Sequence, residues 1–263
     1  MNNKKLSNKL RLQILKMSNK TGAPHVASAL SCLDIVTVLY NNILKTFPKN
    51  PKNSNRDRFI LSKGHAATAQ YVNLAYKGFF SKKKLESYTL KNSYLEEHPN
   101  PSINGVEAAT GSLGHGLPIG CGIALAGKIK KKKYKTVILL GDGECNEGTI
   151  WESALFASSK NLNNLYVIID NNGWQGIGRN KDILNINPLK KKWESFGWKT
   201  YIIDGHKENQ IKKIFKKNQN KHPTAIIAKT IKGKGVSFME DDNNWHYRIP
   251  TKNEILLAEK ELK

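Results

Sequence analysis

The sequence predicts an α/β protein built on a doubly wound, mainly parallel sheet with helices on both faces. Three observations lead there. Short apolar runs at Thr136 to Leu140 and at Leu165 to Asp170 stop at turn residues, Gly141-Asp142-Gly143 and Asn171-Asn172. Runs of this kind suit parallel strands buried on both faces. Between them, Gly148 to Lys160 is long enough for a crossover helix, with Trp151, Ala154, Leu155 and Ala157 at helical spacing. At 263 residues the chain can bury a sizeable core. The default is one domain over 1–263, with an amino-terminal helix at 4–18 and a lid-like tail at 230–263.

In chain order, Leu6, Leu10, Ile14, Leu15 and Met17 fall near helical spacing among basic residues and predict an amphipathic helix that ends near Thr21-Gly22-Ala23-Pro24. The stretch from His25 leads into Ile35 to Ile43, a second and more buried helix. Arg58-Phe59-Ile60-Leu61 is a short strand that runs to Gly64-His65. The polar run from Lys82 to Asn100 is expected to cover the surface before the chain re-enters at His98-Pro99. A glycine-rich segment, Gly105 to Gly116, opens into an apolar helix at Leu117 to Ala126. Lys128 to Lys135 is a basic connector with a solvated face. After Gly173-Trp174, Ile177 to Lys192 is loop and short helix. Trp193 to Ile203 predicts a second small unit with Tyr201-Ile202-Ile203 as its strand, and Thr224 to Lys229 a final buried strand.

Composition excludes several functions. Lys and Arg number 43 against 21 Asp and Glu, a net charge of +22. That would ordinarily suggest nucleic acid or an anionic surface. Here Lys, Asn and Ile are abundant everywhere, and no aromatic residues alternate with the basic runs, so no nucleic-acid role is expected. Cys32, Cys121 and Cys145 show no CxxC spacing, and an odd number suits a reducing compartment. Cys145, beside the Gly-Asp-Gly turn, is a reactive thiol or a small filler. The amino terminus has no signal-peptide core and no run approaches membrane length, so a cytoplasmic protein without membrane contact is expected.

The chemistry concentrates at the strand ends. Asp142 and Asn172 would sit at one edge of one sheet, where open α/β sheets bind ligands. A carboxylate and an amide supply hard oxygen ligands for a small divalent cation, and Gly143 lets a phosphate approach the backbone. The pair therefore predicts a metal–diphosphate clamp.

Gly141-Asp142-Gly143, residues 144 to 170 and then Asn171-Asn172 resemble the thiamine diphosphate (ThDP) signature. Other elements resemble those of transketolases in the same order: His25 to Asp34, Leu61 to Ala66, His98-Pro99, Thr110 to Gly116, and Thr230 to Met239 with Trp245-His246. The match runs over essentially the whole chain and is to one half of a transketolase, its diphosphate module. The resemblance implies that Asp142, Asn172 and the Trp174 carbonyl hold Mg2+, with Ca2+ or Mn2+ able to substitute. It also implies that His65 contacts the diphosphate, as do Gly143 and Asn172. Gly111, Ser112 and Leu113 would hold the aminopyrimidine. His25, His98 and His246 would serve the substrate, with His246 also near the diphosphate. Glu147 and Glu152 would lie on a subunit interface. Differences from the family pattern include Glu97 and Tyr247 where glycines stand and His115 in place of a glutamine.

By the same resemblance, the glutamate that activates the cofactor belongs to a second, pyrimidine-binding module that this chain lacks. The expected protein is a cytoplasmic heterotetramer, two of this chain and two of a carboxy-terminal transketolase subunit. It would transfer two-carbon ketol units between phosphorylated sugars in the pentose phosphate pathway. Other ThDP reactions, a deoxyxylulose phosphate synthase-like condensation or 2-oxoacid decarboxylation, remain open at this point, as does a non-catalytic ThDP-binding scaffold.

Overall fold

A computed structural model describes residues 2–216 and 221–263. Among these, five strands form one parallel sheet: β1 Arg58–Leu61, β2 Thr136–Gly141, β3 Leu165–Asn171, β4 Lys199–Asp204 and β5 Thr224–Lys229, in the order β1-β2-β3-β5-β4. In β2 and β3 the stretches Thr136 to Leu140 and Leu165 to Asp170 are wholly buried. This is the expected pattern of parallel strands covered on both faces. The predicted second unit at 193–203 is no separate unit: its strand is β4, the edge of the same sheet, paired with β5 from Lys199↔Thr224 to Asp204↔Lys229.

Helices cover both faces. On one side lie α1 (Asn3–Thr21), α2 (Val26–Val38), α3 (Ala67–Lys77), α8 (Glu208–Lys216) and α9 (Lys252–Leu262), whose apolar side chains join Phe59, Leu61, Val137, Leu139 and Ile168 in one core. On the other lie α4 (Gly116–Ile129), α5 (Gly148–Ser159) and α7 (Leu189–Ser195), packed with Ile60, Ile138, Leu140 and Val167 in a second. The short α6 (Asn180–Ile183) lies beside the strand ends. Alternation along each strand sends successive side chains to opposite cores. A close approach sets α4 on β2: a Cβ at Gly120 would stand 2.2 Å from Ile138 Cδ1.

α1 extends the predicted helix at both ends and stops at Gly22, whose left-handed backbone (φ 72°) lets its N–H reach Ser18 O at 2.8 Å. α2 widens into a π turn over Leu39–Ile43. Val26–Ile43 is, against the sequence expectation, long and apolar enough to cross a membrane, yet it is mostly buried in the core between α1 and α3. The polar run at 82–100 is anchored rather than simply draped, because Leu85, Tyr88 and Leu95 are buried. The tail after Thr230 is in large part tied down. Ile255, Ala258 and Leu262 seat α9 against α1, and Thr251 and Glu254 close a capping box at its start. In α5, Leu155 and Phe156 point outward, while Ile150, Ser153, Ala154 and Ala157 are buried.

Candidate cofactor and metal site

The register brings the two predicted strand ends together. Gly141 pairs with Asp170, and the next N–H, that of Asp142, donates to Asp170 O at 3.3 Å. Asp142 is buried. Its Oδ1 accepts from Gly143 N (2.9 Å) and its Oδ2 from Gly173 N (2.7 Å), and the Asn180 side chain also bonds the carboxyl. Burial, with the Asp170 charge beside it, pushes this carboxyl up to about 6, against the pull of the two N–H groups and the Asn180 side chain. A buried carboxylate of this kind is relieved by a cation.

Asn172 is held by the residues behind it. Its Nδ2 donates to Ser31 Oγ (3.0 Å), and its Oδ1 accepts from Trp174 N (2.9 Å). Ser31 in turn donates to Asp170 Oδ1 (2.8 Å), so its lone pairs are what face Asn172. Asp170, fully buried, also takes Thr230 Oγ1 (2.5 Å) and Lys63 Nζ (2.5 Å). Burial pulls the Lys63 ammonium down, but the Asp170 carboxylate outweighs it and the net shift is upward.

Asp142, Gly143, Asn172 and Trp174 line a cleft of about 360 Å³ together with His25, His65, Gly111, Leu113, Lys63, Gln175, Lys232 and His246. The rings of His25, His65 and His246 stand 5.0 to 5.8 Å apart. Lys232 Nζ donates to His246 Nδ1 (2.8 Å) and to Asn243 Oδ1 (2.5 Å). Burial, then the neighbouring Lys63 charge, lowers the Lys232 ammonium to about 7. Burial followed by the Lys232 charge takes His246 to about 3, and burial followed by Lys63 puts His65 well below its ordinary value. Both rings are therefore neutral at pH 7.

Three turns are bound into one wall. A Cβ at Gly64 would stand 2.7 Å from Gly111 N, and Thr110 Oγ1 donates to Leu61 O at 2.7 Å. The buried Glu144 joins the same turns through Ser62 Oγ, Gly114 N (2.9 Å) and Gly141 N (3.0 Å). His98 does not line the cleft. Its ring packs behind Gly111, where an added Cβ would meet Cδ2 at 2.8 Å, and its carbonyl accepts from Tyr71 Oη. Ser112 is exposed, its hydroxyl beside His115 Nδ1 (3.3 Å). Glu147 reaches the cleft rim, and Glu152 lies exposed on α5. Cys145 is a filler: it is buried, and burial drives its thiol well above the ordinary value.

The residues that motif reading passed over are Lys63, Glu144, Asp170, Gln175 and Lys232. Asp170 left a signal, a carboxylate closing an otherwise apolar strand. The lysines stand inside the glycine turns themselves, Ser62-Lys63-Gly64 and Ile231-Lys232-Gly233.

Among the described residues no three His, Cys, Asp or Glu side chains are grouped to hold a metal ion. A hard cation here would instead combine the Asp142 carboxylate with amide and carbonyl oxygens, a set suited to small divalent ions. The cleft also holds buried polar atoms with no partner, Gln175 Nε2 and His25 Nδ1. With Lys63 and Lys232 beside them, the cleft fits a cation and an anion together, as in a metal-bound diphosphate. A second cleft, about 280 Å³, surrounds Arg11, Asp34 and His206. There Asp34 Oδ2 pairs with Arg11 (2.6 Å) and His206 (2.8 Å), and Arg11 Nε donates to Lys234 O (2.7 Å). Its central charged groups are thus already matched, and they pin the loop that carries Lys232.

Such a fold and strand-end site define a diphosphate-cofactor-binding α/β protein. The family model for the thiamine diphosphate binding domain of transketolase matches residues 2–262, and the chain belongs to the transketolase family. It is 39% identical over 258 residues to one of the subunits of the apulose-4-phosphate transketolase of Phocaeicola vulgatus, covering 97% of this chain and 92% of that one. To human transketolase it is 39% identical over 254 residues, 95% of this chain and 40% of the relative. Among solved structures, transketolase from Campylobacter jejuni superposes with a TM-score of 0.89 at 29% identity, over 99% of this chain and 47% of that one. The chain therefore spans less than half the length of these full-length transketolases.

Proposed function

We propose that this chain is the diphosphate- and metal-binding subunit of a two-chain transketolase that moves two-carbon ketol units between phosphorylated sugars. The observation that carries this reading is the pairing, in one cleft, of the buried Asp142 with Lys63, Lys232 and the unpartnered Gln175 Nε2. Asp142, Asn172 and the Trp174 carbonyl would hold Mg2+, and Ca2+ or Mn2+ could share the same oxygen donors. ThDP, when bound, supplies a carbon nucleophile and an electron sink for the sugar carbon–carbon bond. Lys63, Lys232, His65 and Gln175 would face its diphosphate, and Gly111 to Leu113 its pyrimidine. His25 and His246, held neutral by burial, would face the sugar hydroxyls, and His246, whose Nδ1 accepts from Lys232, would present Nε2–H to a sugar oxygen. His98 supports this wall from behind Gly111.

The near-complete coverage of a relative that is itself named as one transketolase subunit supports a partner chain that supplies the pyrimidine module. We take the assembly to be a cytoplasmic heterotetramer with Glu147 and Glu152 on its interface, acting in the pentose phosphate pathway. That relative's name makes apulose-4-phosphate the first donor to try. The test mixes this chain with candidate partner chains, ThDP, Mg2+, a phosphorylated ketose and an aldose acceptor. Turnover is expected only with a partner, and Asp142→Ala should lower it about 100-fold. An Asp142→Ala complex as active as wild type would refute the metal role, and pyruvate turnover without ketose activity would refute the sugar reading.

A further inference from the structure

A carboxylate that the ketol-transfer reading leaves without a task stands beside His25, one of the residues that line the cleft. Glu97 Oε1 lies 3.7 Å from His25 Nε2, too far for a hydrogen bond, and its side chain is 42% exposed. His25 is held by its backbone and by three neighbouring rings. Its backbone is left-handed (φ 70°), and its N–H donates to His246 O at 2.9 Å. Its ring meets those of His65, His246 and Tyr247 at centroid distances of 5.0 to 5.5 Å. Nδ1 is buried without a partner. Nε2 is the ring nitrogen on the side of Glu97.

A carboxylate next to Nε2 favours the proton on that nitrogen. An ionised carboxylate only accepts hydrogen bonds, whereas a hydroxyl both donates and accepts. A hydroxyl entering beside the two groups can donate to Glu97 and accept from Nε2–H. A carboxylate or phosphate entering there finds no donor in Glu97 and meets its negative charge. We propose that Glu97 is a specificity-determining residue, admitting substrates that present a hydroxyl beside His25 and rejecting those that present an anion. The resembled family pattern has a glycine at this position, so the side chain is an addition to the wall. The proposal rests on the ketol-transfer reading of the same cleft.

The test compares wild type, Glu97→Gln and Glu97→Gly in the reconstituted complex with one ketose donor and two acceptors of similar size, glycolaldehyde and glyoxylate. Glu97→Gln should raise kcat/KM for glyoxylate about ten-fold and leave glycolaldehyde little changed. Glu97→Gly should in addition raise KM for glycolaldehyde. ThDP affinity of the chain, measured by calorimetry, should stay within about two-fold in both variants. An unchanged preference between the acceptors in an active complex overturns the proposal, and so does a loss of ThDP affinity. A wild-type complex with no ketol transfer would instead sink the functional reading. The proposal is then decided on the chain alone by long-range 1H–15N spectra of the His25 ring. A loss of the Nε2–H form in Glu97→Gly supports it, and indifference to that substitution overturns it.

Discussion

Asn172 shows how single residues reach the cleft through others. Ser31 accepts from Nδ2 of Asn172 and donates to Asp170, which leaves the amide oxygen, with one lone pair on Trp174 N, as the atom available to a cation. Ser31→Ala would strand the Asn172 N–H and remove one of the two hydroxyl donors to Asp170 Oδ1. Affinity for ThDP with Mg2+ should fall about ten-fold by calorimetry, the usual scale for losing the group that orients a ligand. The histidines also carry a pH signature. A base whose folded value is depressed binds its proton more tightly when unfolded, so folding stability is lost as pH falls through the window between the two values. For His246 that window runs from 6.5 down to about 3. Asp142 and Glu144, both raised by burial, act in the opposite sense, so the prediction concerns a difference. Between pH 6.5 and 3 the melting temperature of wild type should fall more steeply than that of His246→Asn, as read by scanning calorimetry.

At the scale of elements, the site is made where turns touch. Gly64 abuts the backbone of Thr110 and Gly111, and even one methyl group there would push the Gly64-His65 turn off the pyrimidine-facing turn. Gly64→Ala should therefore weaken ThDP binding far more than it lowers the melting temperature, with both measured on the same preparation. At the other end of the chain, Thr251 accepts from Glu254 N while Glu254 reaches back to Thr251 N. Thr251→Ala should cost about 1 kcal/mol. That corresponds to about 2–4 °C in melting temperature for a protein of this size, with activity kept. The strands were readable as apolar runs, most of them leading to glycine, aspartate or asparagine. α3 was not, because nearly all its side chains are buried and no polar face marks its period. The Thr251-x-x-Glu254 signal for α9 is present in the sequence, but a tail read for its glycine-broken lysines conceals it.

For the whole molecule, the open question of assembly becomes a measurement. The isolated chain should bind ThDP and Mg2+ weakly and show no turnover, and addition of a pyrimidine-module partner should restore both, with the complex followed by size and activity together. The charge of +22 is spread over surface lysines such as the exposed Lys130 to Lys133, and DNA binding should show a shallow slope with salt and no sequence preference. By itself the sequence determined the fold class, all five strands and the two ends where Asp142 and Asn172 stand. These are local patterns, apolar runs and turn residues, that need no knowledge of what packs where. Only the tertiary structure decided that Lys63 and Lys232 converge on the cleft, that Asp170 ties Ser31, Thr230 and Lys63 together, and that His98 stands behind Gly111. It also decided that Glu97 faces His25. Each of these depends on contacts between segments far apart in the chain, and a side chain's environment is set by the neighbours that folding brings to it.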